Sequence, residues 1–190
     1  FNNGHVLKMM KEFNLEHLLR SEIPNKVTAS VKTIIKNALF NHYKSSWRNV
    51  STDGHTKVET YKGFKTEFKA EPYLKLPQKN YRIAIARFRT SSHHLRIETG
   101  RHTKPITPQN GRLCRLCVSD KIENEHHVLL KCEAYNDIRH TLFQKLTKII
   151  PDINNLDDKL KFKTIIGNSN TEAMTILGKF LVDMEKIRNS

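Results

Sequence analysis

Residues 112–132 read RLCRLCVSDKIENEHHVLLKC and hold all three cysteines of the chain, Cys114, Cys117 and Cys132, with His127 between the second and the third. The spacing is C-x2-C-x9-H-x4-C. Two cysteines separated by two residues can grip one edge of a zinc tetrahedron through a tight turn, and an imidazole with a third thiolate closes it from the other side. Four protein ligands leave no open position for water, so the pattern predicts a structural Zn2+ and not a catalytic one. His126 is adjacent to His127, and only one ring is needed. His127 is the preferred ligand on spacing, while His126 is expected to pack or face solvent. On an ideal helix, positions five apart differ by about 140° in direction. The chain must therefore turn between His127 and Cys132.

Upstream of this motif lies the most basic part of the chain. Between Lys75 and Val118 there are ten lysines and arginines, and the only acid is Glu98. The whole protein carries 33 Lys plus Arg against 19 Asp plus Glu, a net charge of +14. Such an excess points to a phosphate backbone or an anionic surface as partner. Arg82, Arg87, Arg89, Arg96, Arg101, Lys104, Arg112 and Arg115 are the candidate nucleic-acid contacts, because a guanidinium offers paired donors to phosphate. If residues 81–95 (YRIAIARFRTSSHHL) form one helix, Arg82, Arg89 and Arg96 recur on one face, and Tyr81, Ile85, Phe88, Ser92 and Leu95 form another. Tyr81, Phe88 and His94 are then candidate stacking surfaces for unpaired bases. The alternation in RIAIARF also permits a strand, although the alanines and arginines favour helix.

Other segments fill in around this centre. Val6, Met9, Met10 and Phe13 have helical spacing, and a break is expected at Asn14 before Leu15, Leu18 and Leu19. Pro24 fits a first helical turn. From there Val31, Ile34, Ile35, Leu39 and Tyr43 make an apolar stripe towards Trp47, and residues 51–54 make a loop. Residues 58–78 give no clear assignment. The segment 100–111 (GRHTKPITPQNG) is a loop. Tyr135, Ile138, Leu142, Leu146 and Ile149 predict a helix that stops at Pro151. A short helix through Leu160 and Ile165 should end at Gly167. The last helix, capped by Asn170 or Thr171, carries Met174, Leu177, Leu181, Met184 and Ile187. The expected fold is mainly α, with helical segments flanking a small CCHC zinc-binding element. Three divisions are expected: a helical connector over residues 1–57, a basic region with the zinc motif over 58–151, and a helical hairpin over 152–190.

Several function classes find no support. There is no Gly-rich phosphate loop, no G-x-S-x-G elbow and no H-E-x-x-H helix. Asp157 and Asp158 read as a solvated helix start, and His93 and His94 beside Ser91 and Ser92 lack an evident acidic partner. An odd cysteine count argues against a secreted disulfide framework and for a reducing compartment. No stretch approaches the roughly 18 apolar residues of a membrane span, and no signal pattern opens the chain. The expected setting is intracellular, nucleus and cytoplasm. A start at Phe1 reads as a fragment or a processed product.

Residues 89–117 (RTSSHHLRIETGRHTKPITPQNGRLCRLC) and 123–139 (ENEHHVLLKCEAYNDIR) together resemble the region after the polymerase domain in reverse transcriptases of invertebrate non-LTR (LINE-type) retrotransposons. Residues 61–76 and 176–187 share the likeness, which spans roughly 58–188 and is firmest from Ser91 to Phe143. The resemblance implies zinc-type ligation by Cys114, Cys117, His127 and Cys132, and it marks Arg101, Thr103 and Pro105 in the basic loop. It implies RNA or DNA as partner, with the rest of the reverse transcriptase polyprotein, during target-primed reverse transcription. No membrane and no small-molecule substrate are expected. The polymerase Y/F-x-D-D turn and the endonuclease residues are absent from this chain, so the expected role is binding without catalysis. The alternative is a protein-interaction module that stabilises the polyprotein, with zinc as a staple and the basic face docking on acidic protein. The feature favouring it is the amphipathic last helix, whose Met174 to Ile187 stripe could pack on a missing partner.

Overall fold

The apolar stripes of the sequence become two separate cores in the computed structural model, which describes residues 3–19, 29–49, 61, 63–65 and 67–190. Pro24 and the 51–54 loop lie outside the described residues, as do the side chains of Val6, Leu19 and Trp47. The chain divides into two units, Phe1–Thr52 and Asp53–Ser190.

In the first unit, helix α1 (Asn3–Glu12) ends where expected, with Asn14 in the left-handed region at φ 55°. Asparagine tolerates that conformation better than most residues. A short 3-10 turn, Glu16–Leu19, follows, and helix α2 spans Ala29–Asn49. Phe13, Leu15 and Leu18 are buried against Val31, Ile35 and Leu39 of α2. Ile34 and Tyr43 belong to the expected stripe but stand exposed, which leaves the buried face of α2 narrower than the sequence implies.

The second unit is built on helices α3 (Lys79–Arg89), α4 (Arg96–Thr99), α5 (Glu125–Leu130), α6 (Asn136–Leu146), α7 (Asp158–Ile166) and α8 (Thr171–Asn189). It is mainly helical. The extended pairing among its described residues is a single antiparallel bridge between Leu113 and Ile122. Helix α8 lies along α3 and α6. Its stripe of Met174, Leu177, Leu181 and Met184 is buried there, together with Ile85, Phe88, Leu142 and Leu146. Gly178 sets the closeness of the α8–α3 approach: a Cβ at that position would lie 2.6 Å from Cβ of Tyr81. Asn170 caps α8, its Oδ1 accepting from the amides of Glu172 and Ala173 at 2.8 and 3.0 Å. Asp157 caps α7 in the same way, and Gly167 ends it. One apolar core runs from Tyr73 to Met184, so no division falls at residue 151, and residues 152–190 are not a separate hairpin. Among the described residues no helix is long and apolar enough to cross a membrane.

Residues 81–95 are not one helix. The RIAIARF stretch is helical, but α3 stops at Arg89, and Ser91 takes a left-handed φ of 50°. Polar side chains of the TSSHH run compete with helical continuation by finding other partners: Thr90 Oγ1 donates back to the Ala86 carbonyl at 2.9 Å, while Ser91 and His93 both turn to Glu125. Arg96 therefore leaves the face on which Arg82 and Arg89, seven residues apart in α3, both fall. Arg89 is the most buried of them, at 1% exposure. It pairs with Glu71 at 2.8 Å, donates to the carbonyls of Ile166 and Asn168, and lies 4.7 Å from the Tyr73 ring and 5.3 Å from the Phe64 ring. Glu71 also accepts from Lys65 and Tyr61, each at 2.8 Å. That hub anchors the stretch the sequence left unassigned, which includes a 3-10 turn at Pro72–Lys75.

Candidate metal centre

Cys114 and Cys117 sit on a small β-hairpin. Its two sides meet at the Leu113–Ile122 bridge and through two backbone bonds, Cys114 N–H to Lys121 O at 2.8 Å and Glu123 N–H to Arg112 O at 2.9 Å. At the turn, the amides of Leu116 and Cys117 face the Cys114 sulfur, and Asp120 adopts φ 50° to bring the chain back. The C-x2-C spacing thus places both sulfurs on the inner side of one tight turn.

Helix α5 supplies the third ligand. Asn124 is its N-cap, accepting from the amide of His127 itself at 2.8 Å, which fixes where the helix starts and hence where His127 points. The helix ends at Leu130. The amides of Lys131 and Cys132 both return to the His127 carbonyl at 2.8 Å, the turn that the His127–Cys132 spacing requires. Arg139 of α6 closes this end: Nε donates to Leu129 O at 3.0 Å, and Nη2 reaches the carbonyls of Val128 and Cys132. A helix leaves its last carbonyls without internal partners, and here one buried guanidinium takes those of Val128 and Leu129.

The four ligand atoms all lie within 4.8 Å of one another. Cys114 Sγ is 3.8 Å from Cys132 Sγ, and Cys117 Sγ is 3.4 Å from His127 Nε2. Tetrahedral zinc, with bonds of ~2.3 Å to sulfur and ~2.0 Å to nitrogen, separates its ligands by about 3.5–3.8 Å. The group is thus a Cys3His cluster with dimensions that fit a metal ion. His126 takes no part in it. Its ring lies 5.6 Å from that of Phe162 on α7.

The electrostatics suit a cation. Burial pushes the Cys132 thiol up to about 12 and also raises Cys114. At Cys117 burial acts upward too, but hydrogen bonds from the Ser119 hydroxyl and amide outweigh it and hold the thiol low. Burial, with the positive charge of Arg139, lowers His127, which favours the neutral imidazole that a metal needs. A bound cation would reverse the penalty on the two raised thiols, with release of their protons.

Two buried acids bracket Asn124 and tie this element to its surroundings. Glu123, at 0% exposure, accepts from the Arg96 amide at 2.8 Å and from Arg188 near the end of α8. Glu125 accepts from Ser91 Oγ at 2.6 Å and from His93 Nε2 at 2.8 Å, while His93 Nδ1 accepts from the Leu95 amide at 3.3 Å. His93 therefore does have an acidic partner, 32 residues along the chain. Hydroxyl and imidazole share one carboxylate oxygen, and Ser91 donates to the acid and not to the ring. A nucleophile needs its base on the hydroxyl, so the trio is a staple between the α3–α4 turn and α5.

The basic residues fall into three groups. Arg87, Lys104 and Arg115 are exposed. Arg82, Arg96 and Arg101 are half-buried; Arg82 donates to the carbonyls of Leu76 and Pro77, and Arg101 lies 3.4 Å from Glu98. Arg89 and Arg112 are buried, and their donors are directed into the protein, which removes both from the candidate phosphate contacts. Arg112 donates to Thr107 O at 2.9 Å and to Ile97 O at 2.8 Å. A Cβ at Gly100 would lie 2.7 Å from its Cγ, so glycine makes room for that stem. Among the stacking candidates, Phe88 is core and Tyr81 is packed at Gly178, whereas His94 is exposed. Glu123, Glu125, Arg139 and Arg188 carry no motif in the sequence; the one visible signal is a pair of acids flanking an N-cap asparagine just before His127.

Comparison with known families, with curated proteins and with solved structures returns no match to this chain.

Proposed function

We propose that this chain is a non-catalytic nucleic-acid-binding module in which Cys114, Cys117, His127 and Cys132 hold a structural Zn2+. The observation that carries the reading is the convergence of these four ligand atoms on a hairpin and helix that expose Arg115 and Lys121 at their surface. Three thiols and an imidazole select a soft or borderline ion, and zinc accepts that set without redox chemistry. Bound there, the ion would stabilise the fold of the hairpin and α5. The exposed cations Arg87, Lys104 and Arg115, with the half-buried Arg82, Arg96 and Arg101, would meet phosphate in RNA or DNA. The likeness of residues 89–139 to the region after the polymerase domain of LINE-type reverse transcriptases supports a place beside that enzyme in an intracellular, reducing setting. The feature favouring the protein-interaction alternative, the apolar stripe of α8, is buried in this unit's own core from Met174 to Met184. Docking of the basic face on an acidic protein is the outcome the binding test below distinguishes.

Zinc content by elemental analysis, combined with a salt series of RNA and DNA binding, tests the reading. One zinc per chain, lost in Cys132→Ser, and affinity falling steeply with salt are expected, since each neutralised phosphate releases counterions. Zinc-loaded, folded protein whose binding is absent, or flat with salt, would overturn it.

A further inference from the structure

What this unit could offer a nucleic acid is limited by the cations the fold has already used. A protein that reads a duplex groove commonly inserts a helix with outward cations. The basic helix α3 keeps Lys79 and Arg87 exposed, but its Arg89 is in the core, Arg82 is spent on carbonyls of the preceding turn, and α8 packs along it. Helix α5 is only six residues long and buries His127, Val128 and Leu129. The freely presented cations near the metal group are instead on loops: Arg115 and Lys121 on the hairpin, and Lys104 on the loop before it.

The same two loops present apolar side chains to solvent. Val118 at the hairpin tip is 92% exposed, Leu116 is 36% exposed, and Ile106 on the preceding loop is 68% exposed. Both loops are joined at Arg112, whose backbone closes the hairpin with Glu123 and whose side chain holds Thr107 O and Ile97 O. The hairpin turns back at Asp120, whose φ is 50°, and its two sides are closed by the backbone bonds Cys114 N–H to Lys121 O and Glu123 N–H to Arg112 O. Scattered exposed aliphatics need no explanation, but Leu116 and Val118 stand two residues apart on one hairpin turn beside Arg115 and Lys121, and Ile106 stands on a loop tied to the same base. In a duplex the base faces are taken up by neighbouring bases, whereas an unpaired base offers its face to a flat or apolar side chain.

We propose that the hairpin tip is a single-strand reader: Leu116 and Val118 pack on the face of an unpaired base, while Arg115, Lys121 and Lys104 take the flanking phosphates. This rests on the nucleic-acid reading above and moves the stacking surface away from Tyr81 and Phe88. The test compares zinc-loaded protein with Leu116→Ser/Val118→Ser and with Val118→Ser alone, by fluorescence anisotropy on a mixed-sequence RNA oligonucleotide, either single-stranded or annealed to its complement. Zinc content and melting temperature are measured on each variant. Single strand should bind tighter than duplex, and the double variant should lose about tenfold on single strand only, with an unchanged salt slope. Val118→Ser, at a fully presented position, should show a smaller loss in the same direction with an unaltered fold. Equal binding of single strand and duplex, or variants that bind single strand like the parent, would overturn the single-strand assignment alone. Absence of binding to either form at low salt, with zinc present and the fold intact, would overturn the nucleic-acid reading with it.

Discussion

The layer formed by α3, α6 and α8 and the element formed by the hairpin and α5 adjoin within one unit but are held together by different physics. In the helical layer, Ile85, Phe88, Leu142, Leu146, Leu177 and Leu181 bury apolar area against one another. In the metal element the buried side chains include Glu123, Glu125, His127, Arg112 and the nearby Arg139, and its own apolar share of the core is chiefly Val128 and Leu129. Apolar packing is non-directional and tolerates change in small steps. Buried charges tolerate little, because removing one partner leaves the other desolvated and unpaired. A compact element with few apolar residues thus depends on pairing, and on a metal if its Cys3His group holds one, more than the layer beside it does.

Withdrawing the metal should separate the two regions most sharply. Structural zinc contributes on the order of 10 kcal/mol to small zinc peptides. In Cys132→Ser, or under a strong chelator, amide protection should be lost across residues 112–132 while the far-ultraviolet helical signal is largely kept. Uniform loss of protection through α3, α6 and α8 would show instead that the helical layer cannot stand without the ion.

Next in size is a pair of substitutions, one in each region. Glu123→Ala leaves Arg188 without its buried partner and should cost about 3–5 kcal/mol, with a measurable fall in zinc affinity. Leu177→Ala opens a cavity in the helical layer and should cost about 2–5 kcal/mol, with zinc stoichiometry in the folded protein unchanged. Urea unfolding and chelator competition on both variants check the contrast; equal effects on zinc affinity would erase it.

The smallest effect concerns Glu71, the acid beside buried Arg89 in the helical layer. Burial raises its carboxyl, but hydrogen bonds from Lys65 and Tyr61 and the charge of Arg89 outweigh that and hold it below its ordinary value of 4.5. A depressed carboxyl contributes stability that is present in full above the unfolded value and lost as pH falls through the folded one. Urea midpoints should therefore decline below about pH 4.5, and Glu71→Gln should be less stable at neutral pH with a shallower decline across that window. Parallel curves for the two proteins would remove Glu71 from the account.

Much of the helical architecture was legible because periodicity is a direct trace of burial. Of the stripe from Tyr135 to Ile149, Tyr135, Leu142 and Leu146 are buried and Ile138 and Ile149 half-buried, and the helix stops at Leu146, short of Pro151. Of the stripe from Met174 to Ile187, all but the half-buried Ile187 are buried. Asn14, Gly167 and Asn170 end or start their helices as their chemistry predicts. The metal cluster was legible for a related reason: ligand chemistry restricts both residue type and spacing, so Cys114, Cys117, His127 and Cys132 stand out without a fold. The stretch 81–95 misled because Ser91 and His93 find Glu125, a partner no local pattern reveals. Arg89 and Arg112 misled in the same way, since an arginine destined for the core looks like one destined for phosphate until its acceptors are known.

The sequence alone determined a mainly helical chain, the four atoms that could take a metal, and an excess of positive charge. These follow from composition, period and spacing, which are properties of neighbours along the chain. Tertiary structure decided which cations remain available, which histidine faces the sulfurs, and that the α8 stripe is spent internally. Each of those is set by groups far apart in sequence: Arg89 by Glu71 and Ile166, Glu123 by Arg188, and Cys132 by Cys114. A buried charge is stable only where its partners converge, and convergence belongs to the fold.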